Sequence, residues 1–197
     1  FVSNSGKEGG AVALRSDDPS TDPTRGDFTS CVFESNTATG PATNLNAEGG
    51  GIYSENSFVA LKSSNFTANE GSKGGGMYVE FANGVENNSP VTLESTIFYK
   101  NIADIRGGGI FAKQSSATSK PLICLKGGKN IFEANTQDPI GLGPELNVWR
   151  LDSSATKVEV DRCPIGTWRG LNKELDSSNS NDLQNIPSCA SCPATKT

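Results

Sequence analysis

Phe98-Tyr99-Lys100-Asn101 is followed, after five intervening residues, by Gly107-Gly108-Gly109-Ile110-Phe111, and this pairing decides the fold. Phe-x-x-Asn recurs at Phe1/Asn4, Phe33/Asn36, Phe66/Asn69, Phe98/Asn101 and Phe132/Asn135, with steps of 32, 33, 32 and 34 residues between the phenylalanines. A glycine cluster and a short apolar run follow each time: Gly9-Gly10-Ala11-Val12, Gly49-Gly50-Gly51-Ile52, Gly74-Gly75-Gly76-Met77, Gly107-Gly108-Gly109-Ile110, and a degenerate Gly141-Leu142-Gly143 before Val148. A third short run, rich in β-formers, precedes four of the phenylalanines: Phe28-Thr29-Ser30-Cys31, Val59-Ala60-Leu61-Lys62, Val91-Thr92-Leu93-Glu94 and Leu122-Ile123-Cys124-Leu125.

A period near 33 residues also belongs to helical repeats. The chemistry excludes them here. Three consecutive glycines would each cost a helix roughly 1 kcal/mol, and no apolar 3.6-residue spacing is sustained. Short runs of Val, Ile, Thr, Phe and Tyr between Gly, Asn and Ser read as strands. Three such strands per repeat, stacked repeat on repeat, predict an all-β parallel β-helix of about five coils over 1–160. Equivalent strands then pair about 4.8 Å apart. The phenylalanines are expected to stack in a column inside the coil. The asparagines are expected to form a second column at a turn, bonding backbone groups that have no other partner.

The paired motifs resemble the polymorphic outer-membrane protein repeats of chlamydial surface adhesins. The resemblance spans roughly 1–160. It implies a right-handed, elongated, extracellular β-helix used for adhesion or scaffolding, and not an enzyme.

Composition agrees with a solvated β surface. With 17 basic and 22 acidic residues the net charge is −5, which argues against nucleic acid as a partner. No stretch approaches the ~18–20 apolar residues of a membrane span. The chain opens on Phe1 inside a repeat and ends in an unfinished cysteine motif, so it reads as a segment of a longer protein.

Alternation along the strands after the glycines puts Val12, Ile52, Met77, Ile110 and Val148 inward. It puts Ala13, Tyr53, Tyr78, Phe111 and Trp149 outward. The last four form a candidate contact strip for a protein neighbour or for sugar rings, set against the blander expectation that loops cover it. Two sequons, Asn65-Phe66-Thr67 and Asn87-Asn88-Ser89, are candidate N-glycosylation sites. Asp17, Asp18 and Asp22 lack the ordered spacing of a calcium loop. Arg25-Gly26-Asp27 matches a tripeptide that some integrin ligands present, though Gly-Asp is also ordinary turn chemistry.

From about Asp161 the character changes. Cys163-Pro164-Ile165-Gly166-Thr167-Trp168 opens a segment that Cys189-Ala190-Ser191-Cys192-Pro193 closes. This resembles the ephrin-receptor-like cysteine-rich repeats over about 35 residues, so 161–197 is read as a short disulfide-rich module, incomplete at its C-terminal end. The resemblance implies that Cys163 pairs with Cys189 and that Cys192 opens a further module. Such a bridge would be worth roughly 3–4 kcal/mol in the chain-entropy description. A zinc site is the rival, but the chain has no His and three or fewer ligands lie locally. Cys31 and Cys124 fall in non-adjacent coils and are expected to be free thiols in the coil interior.

Some β-helices are polysaccharide lyases or hydrolases, which need paired carboxylates or a basic or metal constellation on one face. No acid recurs on the strands in that way and nothing resembles a nucleophile with its base. No outward Thr-x-Thr ladder suggests ice binding. The expectation is therefore a non-catalytic extracellular or cell-surface segment, structural or adhesive, of a larger surface or filament-forming glycoprotein. No cofactor or metal is called for. Its partners would be other copies or other segments of the same assembly, and glycans. The alternatives are a carbohydrate-binding module built on the aromatic strip and, behind it, a polysaccharide lyase or hydrolase.

Overall fold

The structure is a computed structural model. It describes residues 1–17, 24–40, 47–81, 91–114, 123–125, 130–137, 146–150, 158–160, 167–168 and 190–191. Within these the fold is all-β, with parallel strands in stacked sheets, the arrangement of a β-helix or solenoid.

Each turn of the chain contributes four strands rather than the expected three. Sheet I stacks Ser5–Gly6, Thr37–Ala38, Glu70–Lys73, Ile102–Arg106 and Thr136–Gln137. Sheet II, after the glycines, stacks Val12–Arg15, Ile52–Glu55, Met77–Phe81, Ile110–Gln114 and Leu146–Arg150. Sheet III stacks Arg25–Thr29, Phe58–Lys62, Val91–Glu94, Ile123–Leu125 and Val158–Val160. Sheet IV holds the phenylalanines on Val32–Glu34, Asn65–Thr67, Ile97–Tyr99 and Ile131–Glu133, and a bridge from Val2 to Glu34 extends it. Sheet I is the one that the sequence reading missed. Its strands follow the ladder asparagines and, Ile102–Arg106 apart, are short and polar, so they carry no repeated β-former signature.

Three corners of the coil share one device, a residue with positive φ. Before the asparagines stand Ser3, Ser35, Ala68, Lys100 and Ala134, with φ between 51° and 54°. Before sheet II stand Gly9, Gly49, Gly74 and Gly107, with φ between 63° and 72°. Before sheet IV stand Ser30, Ser63 and Ser95, with φ between 49° and 54°. A left-handed residue reverses the local direction of the chain, and L-residues other than Gly and Asn adopt it at a cost. That cost is offset by the bonds described below. At the glycine corner no side chain fits. A Cβ on Gly75 would stand 2.2 Å from the Ile102 carbonyl oxygen, and one on Gly76 would stand 2.6 Å from that of Gly109.

The interior is apolar and layered. Phe33, Phe66 and Phe98 have no exposed surface. Ring centroids lie 4.8 Å apart from Phe1 to Phe33, 4.4 Å to Phe66, 4.5 Å to Phe98 and 5.1 Å to Phe132, with planes within 12° of parallel. The column therefore repeats at the strand spacing itself. Phe1 at the first coil remains 49% exposed, and Phe132 is partly buried. Ile52, Met77 and Ile110 form a second inward row, paired in register. Val79, Phe81 and Ala112 on sheet II, with Val59, Leu61, Val91, Leu93 and Ile123 on sheet III, complete the core.

One expectation fails on register. Trp149 lies opposite Lys113, and it is Asn147 that lies opposite Phe111. The fifth coil is thus out of phase with the outward row Tyr53, Tyr78 and Phe111, because Leu146 and not Val148 aligns with Ile110. Cys124 lies opposite Thr92 and, through it, Ala60. The Cys124 side chain lies outside the described residues. Cys31 is free and half-buried at the corner before sheet IV, not deep in the interior. Its thiol donates to the Thr29 carbonyl at 3.5 Å.

Of the expected cysteine-rich module, Cys163, Cys189 and Cys192 lie outside the described residues. Thr167–Trp168 and Ala190–Ser191 form a short antiparallel pair.

Candidate functional surfaces

The ladder asparagines are fully engaged. Asn36, Asn69 and Asn101 have no exposed surface. The backbone N–H and the side-chain Nδ2 of Asn36 both donate to Oδ1 of Asn69, at 3.0 and 2.9 Å. Asn69 donates in the same way to Asn101, and Asn101 to Asn135. Each Nδ2 also donates to the carbonyl of the phenylalanine one coil earlier: Asn69 to Phe33, Asn101 to Phe66 and Asn135 to Phe98. Asn4 starts the chain of bonds at Asn36.

A second polar column, not foreseen, occupies the corner before sheet IV. The Cys31 N–H donates to Oγ of Ser64 at 3.1 Å, and the Thr96 N–H donates to Oδ1 of Asn130 at 3.0 Å. Ser64, Thr96 and Asn130 reach back to the carbonyls of Phe28, Leu61 and Leu93. Cys, Ser, Thr and Asn at one position make no sequence motif, so pattern reading had nothing to catch.

The candidate contact strip is closed to solvent. Tyr53, Tyr78 and Phe111 are 5%, 2% and 1% exposed, which corrects the expectation of an open aromatic strip. They stack on one another at 5.3 and 5.5 Å as an apolar cluster separate from the core. Alternation placed them outside the core correctly, but a side chain outside the core can still be covered. In Ile52–Glu55 and Met77–Phe81 the first three residues in a row are buried. Arg15 lies 5.1 Å over the Tyr53 ring. The Tyr53 hydroxyl donates to Glu55 at 3.0 Å and the Tyr78 hydroxyl to Glu80 at 2.7 Å. Burial first, with the neighbouring carboxylates adding to it, pushes both phenols well above the ordinary tyrosine range.

Charges border this cluster in register. Arg15 pairs with Glu8 and, at 3.5 Å, with Glu55 on the next coil. Lys113 pairs with Glu80. Lys73 pairs with the nearly buried Glu48 at 2.6 Å across adjoining coils. Glu55 and Glu80 stand opposite each other in register. Each already accepts a tyrosine hydroxyl and faces a cation.

Other candidate residues are scattered. Arg25 and Asp27 lie on an extended strand of sheet III, not at a loop tip. The Arg25 Nε donates to both Asp27 oxygens at 2.9 Å, and that bond holds the guanidinium pKa above its usual value. Asp17 is exposed, while Asp18 and Asp22 lie outside the described residues. Asn65 is exposed on its sheet IV strand, and Asn87 lies outside the described residues. Among the described residues no three His, Cys, Asp or Glu side chains gather as a metal site. No helix among them is long and apolar enough to cross a membrane.

Residues 30–55 and 95–113 match the Chlamydia polymorphic membrane protein repeat. The first match runs from the left-handed Ser30 to Glu55 and the second from the left-handed Ser95 to Lys113, so they take in equivalent parts of two coils. These two segments are therefore similar to the polymorphic membrane protein repeat. That repeat is characteristic of surface-exposed, outer-membrane proteins, which agrees with a cell-surface location. No curated protein and no solved structure matches the chain.

Proposed function

We propose that the chain is a non-catalytic, extracellular structural and adhesive segment of a larger surface or filament-forming glycoprotein. It works as a rigid right-handed β-solenoid, and the cysteine-rich stretch after it forms a disulfide-bonded module. The observation that carries this reading is the use of the repeated side chains. Phe33, Phe66 and Phe98 spend their surface on the rings above and below, and Asn36, Asn69 and Asn101 spend their amides on adjacent coils. What recurs in this sequence is consumed in holding coil to coil. A chemistry-bearing repeat would instead keep some of those groups available.

Other copies or other segments of the same assembly are the partners that this reading assigns. Carbohydrate recognition through Tyr53, Tyr78 and Phe111 is set aside because the rings are covered. The test is to couple the full chain to beads. Attachment to target cells and activity on a polysaccharide panel are then measured side by side. Attachment without release of reducing ends or unsaturated sugar is expected. Turnover of any polysaccharide overturns the proposal.

A further inference from the structure

We infer that Asn65 carries an N-linked glycan that covers an apolar row on sheet IV. The inference rests on the extracellular reading above. Val32, on sheet IV, is one of the exposed large hydrophobics among the described residues, at 45%. On the outward row of sheet IV, Asn65 is flanked in register by Val32 and Ile97, and Ile131 follows. Tyr99, half-buried, is two residues from Ile97 on the same face. Asn65 is thus a polar residue set in an apolar column.

Its amide is also available. The asparagines of the two corner columns give their Nδ2 atoms to the fold. The Asn65 side chain makes no hydrogen bond among the described residues, while its backbone pairs in the sheet IV ladder and its N–H donates to the Cys31 carbonyl. Thr67, which completes the sequon, shares its face, with the fully buried Phe66 between them. Substituting the Asn65 amide therefore breaks no ladder, whereas the same change at Asn69 would break several bonds.

Transfer comes from a lipid-diphosphate-linked oligosaccharide before the chain folds. The Nδ2–C1 bond forms as C1–O to the diphosphate breaks, the lipid diphosphate leaves, and one amide proton passes to the transferase base. In the folded protein the first sugar ring lays its C–H face over Val32 and Ile97, the residues in register with Asn65, with its hydroxyls in water. A bulky hydrophilic group of this kind keeps an apolar face from pairing with another.

The experiment expresses the full chain through a eukaryotic secretory route, in an Asn87→Gln background, with a reporter sequon appended. Mass spectrometry then reads Asn65 occupancy. We expect one glycan at Asn65, lost in Asn65→Gln and in Thr67→Val. Enzymatic removal is expected to convert monomer to concentration-dependent self-association without changing the β-sheet circular dichroism. A secreted, folded chain with its reporter sequon filled and Asn65 bare overturns the site. Occupancy whose removal leaves the protein monomeric overturns the covering role. Neither outcome touches the scaffold reading, which would fail instead if polysaccharide were cleaved.

Discussion

Two aromatic columns run along this molecule, and they are built on opposite principles. The inner one, Phe33, Phe66 and Phe98, stacks at 4.4 to 4.5 Å inside the coil with no polar atom among its rings. The outer one, Tyr53, Tyr78 and Phe111, stacks at 5.3 to 5.5 Å outside the core and is bordered by Arg15, Glu55, Glu80 and Lys113. Both are buried. The inner column sets the rise from coil to coil. The outer column fastens neighbouring coils through rings, hydroxyls and ions together. Burial in a solenoid thus has two sources, the closed interior and the covered outer face, and strand alternation distinguishes inside from outside without reporting cover.

The contrast can be broken first at the inner column. Phe66→Ala removes a ring stacked on both sides and should cost about 3–5 kcal/mol, read as a lower denaturant midpoint with unchanged slope. Phe1→Ala, stacked on one side only and half exposed, should cost less than half of that. A similar loss for both would mean that the column does not act through two-sided stacking. Next comes the corner that brings the chain against the inner rings. A Cβ on Gly76 would meet Phe98 at 2.8 Å and the Gly109 carbonyl oxygen at 2.6 Å. Gly76→Ala should therefore cost about 2–3 kcal/mol through overpacking, measured by thermal melting.

The outer column yields smaller effects and a pH signature. Tyr78→Phe keeps the stacked ring and loses the bond to Glu80, which should cost about 1–2 kcal/mol at neutral pH. Both phenols are held above the ordinary value of 10.0 in the folded chain. Below pH 10 they are protonated in both states and their contribution is complete. Above it the unfolded chain releases protons that the folded chain retains, so stability falls as pH rises. Melting temperatures measured from pH 9 to 11 should show this fall, and the Tyr53→Phe/Tyr78→Phe double variant should flatten it. The smallest effect belongs to the exposed pair of Lys62 and Glu94, 3.0 Å apart in register. Lys62→Ala should change stability by no more than about 0.5–1 kcal/mol, and less in high salt.

How much of this was legible in the sequence follows from which residues have a single chemical solution. Only a large flat ring stacks at the strand spacing, and the asparagine amide accepts from one coil while its Nδ2 donates both along the ladder and to a phenylalanine carbonyl. Phe-x-x-Asn therefore survives as a visible motif. The glycines are legible because Gly75 and Gly76 face carbonyl oxygens that no side chain could clear. The corner of Cys31, Ser64, Thr96 and Asn130 is a different case, since any small acceptor serves, and its ladder leaves no repeated letter. Sheet I escapes notice because Ser5–Gly6, Thr37–Ala38 and Glu70–Lys73 need only backbone bonds to pair. Trp149 misled because the fifth coil lacks the glycine run that marks the phase elsewhere.

The wound-coil account is tested most directly by nuclear Overhauser contacts among selectively labelled phenylalanine rings in the intact chain. The account predicts ring-to-ring contacts between Phe33 and Phe66 and between Phe66 and Phe98, with none between Phe33 and Phe98. Contacts between Phe33 and Phe98, or no contact between either adjacent pair in the folded protein, would contradict it.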